Sequence, residues 1–349
     1  MFSTQNDIRT SLIAAGIDEA DAGLLAQQAK PAVWLETREV ADEAEIPIGA
    51  SKFGGRPDLP AGVAWPVRPA YPDIEERTRL LRADAANPDR AWRWAKPEKR
   101  EAYRQETLNR IRMIENAQPL SFVAQINLAE MWAAGPLDPD LPRQGVLSIF
   151  YDLIEMPWGL CPQDRTGFAI LFHNRDAGPL TRCAAPDEPR GDFFACCRRS
   201  PLACGAHACM TPLPPQEAEY DRMGWPEAFT NRLWGDWWSE DDFLYSSEDG
   251  KDWKCHHVGG WPTPVQGGMQ TRCALLNAGH SCGNSDAYKD PALAAVRATA
   301  ADWLLLAQIG SDGKGNMVWG DNGQLYLWIH RDDLRARRFA NAWLILQSY

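Results

Sequence analysis

The 349-residue sequence predicts an α+β fold: largely antiparallel sheets made by internal duplication of a strand-rich unit, with helices packed outside. The first observation behind this is a turn written twice, "KFGGRP" at 52–57 and "HVGGWP" at 257–262. The second is the tripeptide Ala-Gln-Ile at the end of an apolar run downstream of each turn, at 124–126 and 307–309. The third is a Gly-led run of large alternating side chains after each of those, "GVLSIFYD" and "GQLYLWIH". Three landmarks in the same order predict a repeat where one match would not.

The elements follow in chain order. Ile8, Leu12 and Ile13 share one helical face that Gly16 ends, and Asp18 can cap a second helix carrying Leu24 and Leu25, which stops before Pro31. "AVWLE" at 32–36 reads as a strand leading to the first glycine pair. Residues 73–117 differ in kind, with 11 Lys/Arg, 9 Asp/Glu and a narrow apolar stripe of Tyr103, Leu108, Ile111 and Ile114. They read as a charged helical insertion, either laid over the body as a solvated face or projecting as a partner-docking arm. "PLSFVAQINL", "GVLSIFYDLI" and "GFAILFHN" are strands, whereas 175–223, rich in Pro, Cys and Gly, reads as irregular. "PALAAVRATAA" at 291–301 predicts a helix with proline at its first position. "DWLLLAQIGS", "GQLYLWIH" and "NAWLILQSY" close the chain as strands around a short helix "RDDLRARR". The organisation is therefore N-terminal helices (1–31), a first repeat half (32–174) holding the 73–117 insertion, a Cys/Pro/Trp-rich connection (175–250) and a second half (251–349).

The stretches "SKFGGRPDLP", "PLSFVAQINL", "LPRQGVLSIFY", "MVWGDNGQLYLWI" and "FANAWLILQ" together resemble the YwqG-like bacterial proteins, a family of unknown function, over roughly residues 45–349. That resemblance implies a soluble bacterial protein with an α+β fold containing a repeated strand-rich unit. The placement of some members beside toxin loci implies an immunity-type or other partner-binding role. It implies no catalytic residues, and the 73–117 insertion and the 183–261 region depart from the simpler members.

A net charge of −11 argues against nucleic acid and anionic membranes as partners, and no apolar run reaches the ~18 residues that span a bilayer. "MFSTQNDIRT" lacks the basic-then-apolar pattern of a signal peptide, so the expected location is the cytoplasm. Nine cysteines, an odd number, then predict free thiols in place of a disulfide framework. Sixteen tryptophans, six of them at 225–261, point to a heavily aromatic core or a recognition surface, with Trp237 and Trp238 the candidates for contact.

Gln125 and Gln308 stand inside apolar strands, where an amide without partners costs about 1–3 kcal/mol. Either each satisfies the backbone of its own glycine turn, or the two face a cleft between the halves and read a polar ligand. "CCRRSPLACGAHAC" at 196–209 offers Cys197, Cys204, His207 and Cys209 for zinc, although it lacks the C-x₂-C knuckle; free thiols or a labile disulfide are the other readings, and no cofactor is expected. His256 and His257 precede the second turn, and "GHSCGN" adds His280 and Cys282, from which a Cys/His nucleophilic pair can be assembled. No nucleophile elbow, Walker loop or dinucleotide fingerprint is present. The functional expectation is a non-catalytic protein-binding protein with an unnamed protein partner. The alternative is an enzyme or small-ligand-binding protein working in a cleft between the halves.

Overall fold

The computed structural model describes residues 2–174, 176, 178–186, 200–236 and 256–349. Its strands are β1 (Lys30–Glu39), β2 (Lys52–Phe53), β3 (Asp58–Pro60), β4 (Val67–Arg68), β5 (Gln118–Pro119), β6 (Ser121–Asn127), β7 (Val146–Tyr151), β8 (Phe168–His173), β9 (Leu180–Arg182), β10 (Leu202–Thr211), β11 (His256–Gly259), β12 (Trp303–Gly310), β13 (Gln324–His330) and β14 (Trp343–Gln347).

Ten of them form one antiparallel sheet in the order β14-β13-β12-β11-β1-β10-β2-β6-β7-β8. The middle is the longest ladder, β1 against β10, running from Lys30↔Thr211 to Glu39↔Leu202. On its flanks β1 pairs with β11 and β10 with β2. Each outer run then continues as an antiparallel meander of three strands. Both meanders carry a register shift at the same place, between Phe122 and Ala124 in one and between Leu305 and Ala307 in the other. A bulge strengthens local twist, so paired bulges help the sheet to curl.

The sheet is nearly closed and barrel-like. Two observations make the curl concrete. The rings of Phe53 and His256 lie 4.1 Å apart although β1 and β10 separate their strands. At the two edges, Phe168 of β8 meets Trp343 of β14 at 5.6 Å, and Leu346 N donates to the Trp158 carbonyl. The enclosed core is aromatic and aliphatic, with Trp303, Trp319, Trp328, Tyr151 and Tyr326 fully buried. Much of the tryptophan content therefore serves packing. A second core holds the N-terminal helices Gln5–Ala14 and Glu19–Gln27, through Ile8, Leu12 and Leu25, against Tyr220, Leu233 and Trp261.

Two regions differ from the sequence reading. The ten-residue β10 lies within 175–223, where no strand was expected. Its sequence, LACGAHACMT, alternates among small side chains, so it presents no apolar period, and the long ladder with β1, with a short pairing to β2 on the other side, fixes it instead. The helix expected at 291–301 breaks into short turns, Pro291–Leu293, Ala294–Arg297 and Ala300–Asp302.

The glycine pairs sit where a side chain cannot. Gly54, Gly55, Gly259 and Gly260 all have positive φ, between 60° and 75°. A Cβ on Gly260 would come within 2.4 Å of Thr211 Oγ1 and 2.8 Å of Ala32 Cβ. Gly260→Ala is expected to destabilise the chain by roughly 2–4 kcal/mol, through backbone strain plus overpacking. Chemical denaturation would show this as a lowered midpoint with an unchanged slope.

Candidate functional site

The sequence-derived residues scatter across the structure. Gln125 and Gln308 are both buried and spend their amides on the turns. Gln125 Oε1 accepts from Asp58 N at 2.8 Å, and Gln308 Oε1 accepts from Thr263 N at 2.8 Å, each four residues past the first glycine of its turn. Their amide nitrogens donate to Ala50 O and to Gln324 Oε1, respectively. His257 is buried and donates from Nδ1 to Gly259 O, which fixes its tautomer. Burial pushes its pKa down to about 4, so the ring is neutral at pH 7. His256 packs on Phe53 and donates from Nε2 toward Asp312, whose carboxylate also accepts from Thr37 Oγ1. Burial lowers the His256 pKa as well.

The metal candidates do not converge among the described residues. Cys204 lies on the opposite face of β10 from His207 and Cys209, because neighbouring strand positions alternate. Cys197, Trp237 and Trp238 lie outside the described residues. Cys282 is buried, its thiol pKa is raised by that burial, and its sulfur faces the Arg272 and His280 carbonyls. A protonated thiol pointed at carbonyl oxygens is not an activated nucleophile.

The 73–117 segment forms a helical hairpin. Helices Ile74–Ala86 and Pro97–Glu115 pack on each other, joined by the single turn Pro88–Ala91. The base is clamped by buried ions. Arg68 donates to Asp152 at 2.6 Å and to the Met113 and Asn116 carbonyls, and Tyr71 OH donates to the same carboxylate at 2.9 Å. Arg77 joins Asp73 to Asp164, and Arg110 joins the second helix to Glu155. The Arg68–Asp152 pair is almost solvent-free, a setting in which removing one partner costs about 3–5 kcal/mol. The base is therefore stiff.

The tip is the reverse. Trp94 is 73% exposed and Leu80 on the first helix 68%. Tyr103 holds the Trp94 ring at 5.5 Å and the Trp92 ring at 6.2 Å. Residues 88–104 carry six Lys/Arg against three Asp/Glu, on a chain of net charge −11. Arg90, Arg93, Lys96 and Lys99 are exposed and make no ion pair among the described residues. A solvent-facing indole ringed by unpaired cations, on a rigid base, is the composition of an interface centre. Sequence reasoning found the insertion and named Trp237 and Trp238 as contact candidates, without singling out Trp94. The signal available was "RAWRWAK" itself, two tryptophans at i, i+2 between cations at the junction of two helices.

Two outcomes follow from the buried groups. Gln308→Leu strands Thr263 N–H and should cost about 1–3 kcal/mol in a denaturation experiment. His257 has a folded-state pKa near 4 against an ordinary value of 6.5. Its contribution is fully present above pH 6.5 and is lost as pH falls through 4, because only the unfolded chain takes up the proton in that window. An NMR titration should find the His257 ring neutral down to about pH 4.

Residues 51–348 match a family described as a domain of unknown function, DUF1963. No curated protein matches the chain.

Proposed function

The chain belongs to the DUF1963 family, whose function is unknown, and we propose that it is a non-catalytic protein-binding protein that docks its partner on the tip of the helical arm. The observation that carries this is the exposure of Trp94, 73% open to solvent at the end of an arm whose base is fixed by buried ion pairs. Leaving an indole in water at that position has no packing benefit, whereas covering it on binding contributes about 2–3 kcal/mol. The four unpaired cations around it select a partner with an acidic surface beside an apolar pocket. Such a role requires no cofactor and is compatible with an immunity-type protein of the YwqG-like kind. Free thiols among the described cysteines agree with a cytoplasmic setting.

The two halves are read as an internal duplication. The matched glycine conformations, the matched bulges and the matched amide-to-turn hydrogen bonds support that reading. In this view the strand that precedes each turn strand crosses to the other unit, since β1 pairs with β11 and β10, from the connection, pairs with β2.

A photo-crosslinking amino acid at position 94, placed in the cells that make the protein, tests the docking. One discrete protein crosslink that disappears with Arg93→Glu/Lys96→Glu supports it. Flotation of the pure protein with anionic vesicles, or crosslinks only to other copies of the chain, would sink it. Trp94→Ala should abolish the interaction and leave the melting temperature within about 2 °C, because the residue is exposed.

A further inference from the structure

A large cleft lies far from the arm in sequence, between the segment 216–222 and the turn-rich stretch 268–301, with a volume of about 1050 Å³. Arg272 and Arg297 line it, each half-buried. Arg272 Nε donates to Tyr288 OH at 3.1 Å, and Arg297 Nη1 donates to the Ala287 and Asp290 carbonyls at 3.1 and 2.8 Å. Adjacent residues, 287 and 288, thus hold both guanidinium groups. Neither cation has a carboxylate within ion-pairing distance among the described residues. That is unusual in an acidic chain, where carboxylates outnumber Lys and Arg by 47 to 36. Arg222, paired with Glu219, adds a third guanidinium at the rim, and Asp221 is the one carboxylate among the described lining residues.

The floor is fixed. The buried Glu217 carboxylate accepts from Met269 N and Gln270 N, and Gln270 Nε2 donates to Trp303 O. The helix Gln270–Asn277 that carries Arg272 is thereby tied to the sheet. Gln216 also lines the cleft, and its Oε1 is shielded from solvent without a hydrogen-bond partner.

We infer that this cleft binds a small organic oxyanion, a phosphomonoester or a polycarboxylate. The two guanidinium groups take the anion, since their planar forks match carboxylate and phosphate oxygens. The Tyr288 hydroxyl holds Arg272 in place. The volume lies at the upper end for small-molecule sites, so a bare inorganic ion would leave most of it empty. Nothing in the cleft performs chemistry: the Cys282 thiol is turned toward backbone carbonyls, and the site is one of binding.

Calorimetry on the full-length chain with AMP, citrate and sulfate tests this. AMP or citrate should bind with a Kd of about 100 µM or tighter, and sulfate at least tenfold more weakly. AMP alone identifies the phosphomonoester, and citrate alone the polycarboxylate. Arg272→Gln and Arg297→Gln should each weaken the binding at least tenfold. Arg222→Gln, at the exposed rim, keeps the test valid if either inner variant fails to fold, and should weaken it severalfold. Failure of both organic probes to bind below about 1 mM overturns the inference, as does binding that all three variants leave unchanged.

Discussion

The ladder between β1 and β10 is the constraint on which the rest of the molecule depends. It is the longest pairing in the sheet, it joins a strand near the N-terminus to one near the middle of the sequence, and it sits between the two meanders. Every other pairing is either local within a meander or attaches a meander to one side of this ladder. Take it away and the two meanders have only side chains and short edge contacts to hold them. The curl that brings Phe53 against His256 follows from a long, twisted central pair with bulged strands on each flank.

The strands that lead into the two glycine turns, β2 and β11, are stabilised by different chemistry. Lys52 stands opposite Gln125 in the first half, and His257 opposite Gln308 in the second. Lys52 is fully buried and depends on Asp58 at 3.2 Å and Glu43 at 3.5 Å; Arg182 also donates to Asp58 at 2.9 Å. His257 needs no ion, because burial keeps it neutral and a carbonyl takes its proton donor. The ionic half is rigid only while every charge stays paired.

Much of the fold was legible because its strands advertise themselves. "SFVAQIN", "QLYLWIH" and "WLILQ" bury almost every residue and read as apolar runs, and the glycine pairs announce positive φ. β10 was not legible: Ala, Gly and Cys carry too little apolar surface to leave a period, and its place is set by its neighbours. The buried turn partners of Gln125 and Gln308 followed from the cost of an unpaired amide. The arm tip was visible as charge but not as exposure, since whether Trp94 is covered depends on tertiary packing. The cleft was wholly hidden, because Arg272, Tyr288 and Arg297 meet only when a helix and two separate short turns fold together. "GHSCGN" drew notice for its thiol, and what it helps to line is a basic surface.

The sequence separation across the central ladder has a consequence for how the chain is made. Glu36 faces Gly205, roughly 170 positions later, so a nascent chain emerging from the ribosome cannot close its central ladder until most of it has been synthesised. Until then β2 and β1 each present a bare edge, and an open edge recruits whatever strand is nearest. Translation intermediates that end before residue 211 are thus the aggregation-prone species, and a second nascent copy on the same messenger is the nearest source of the missing strand.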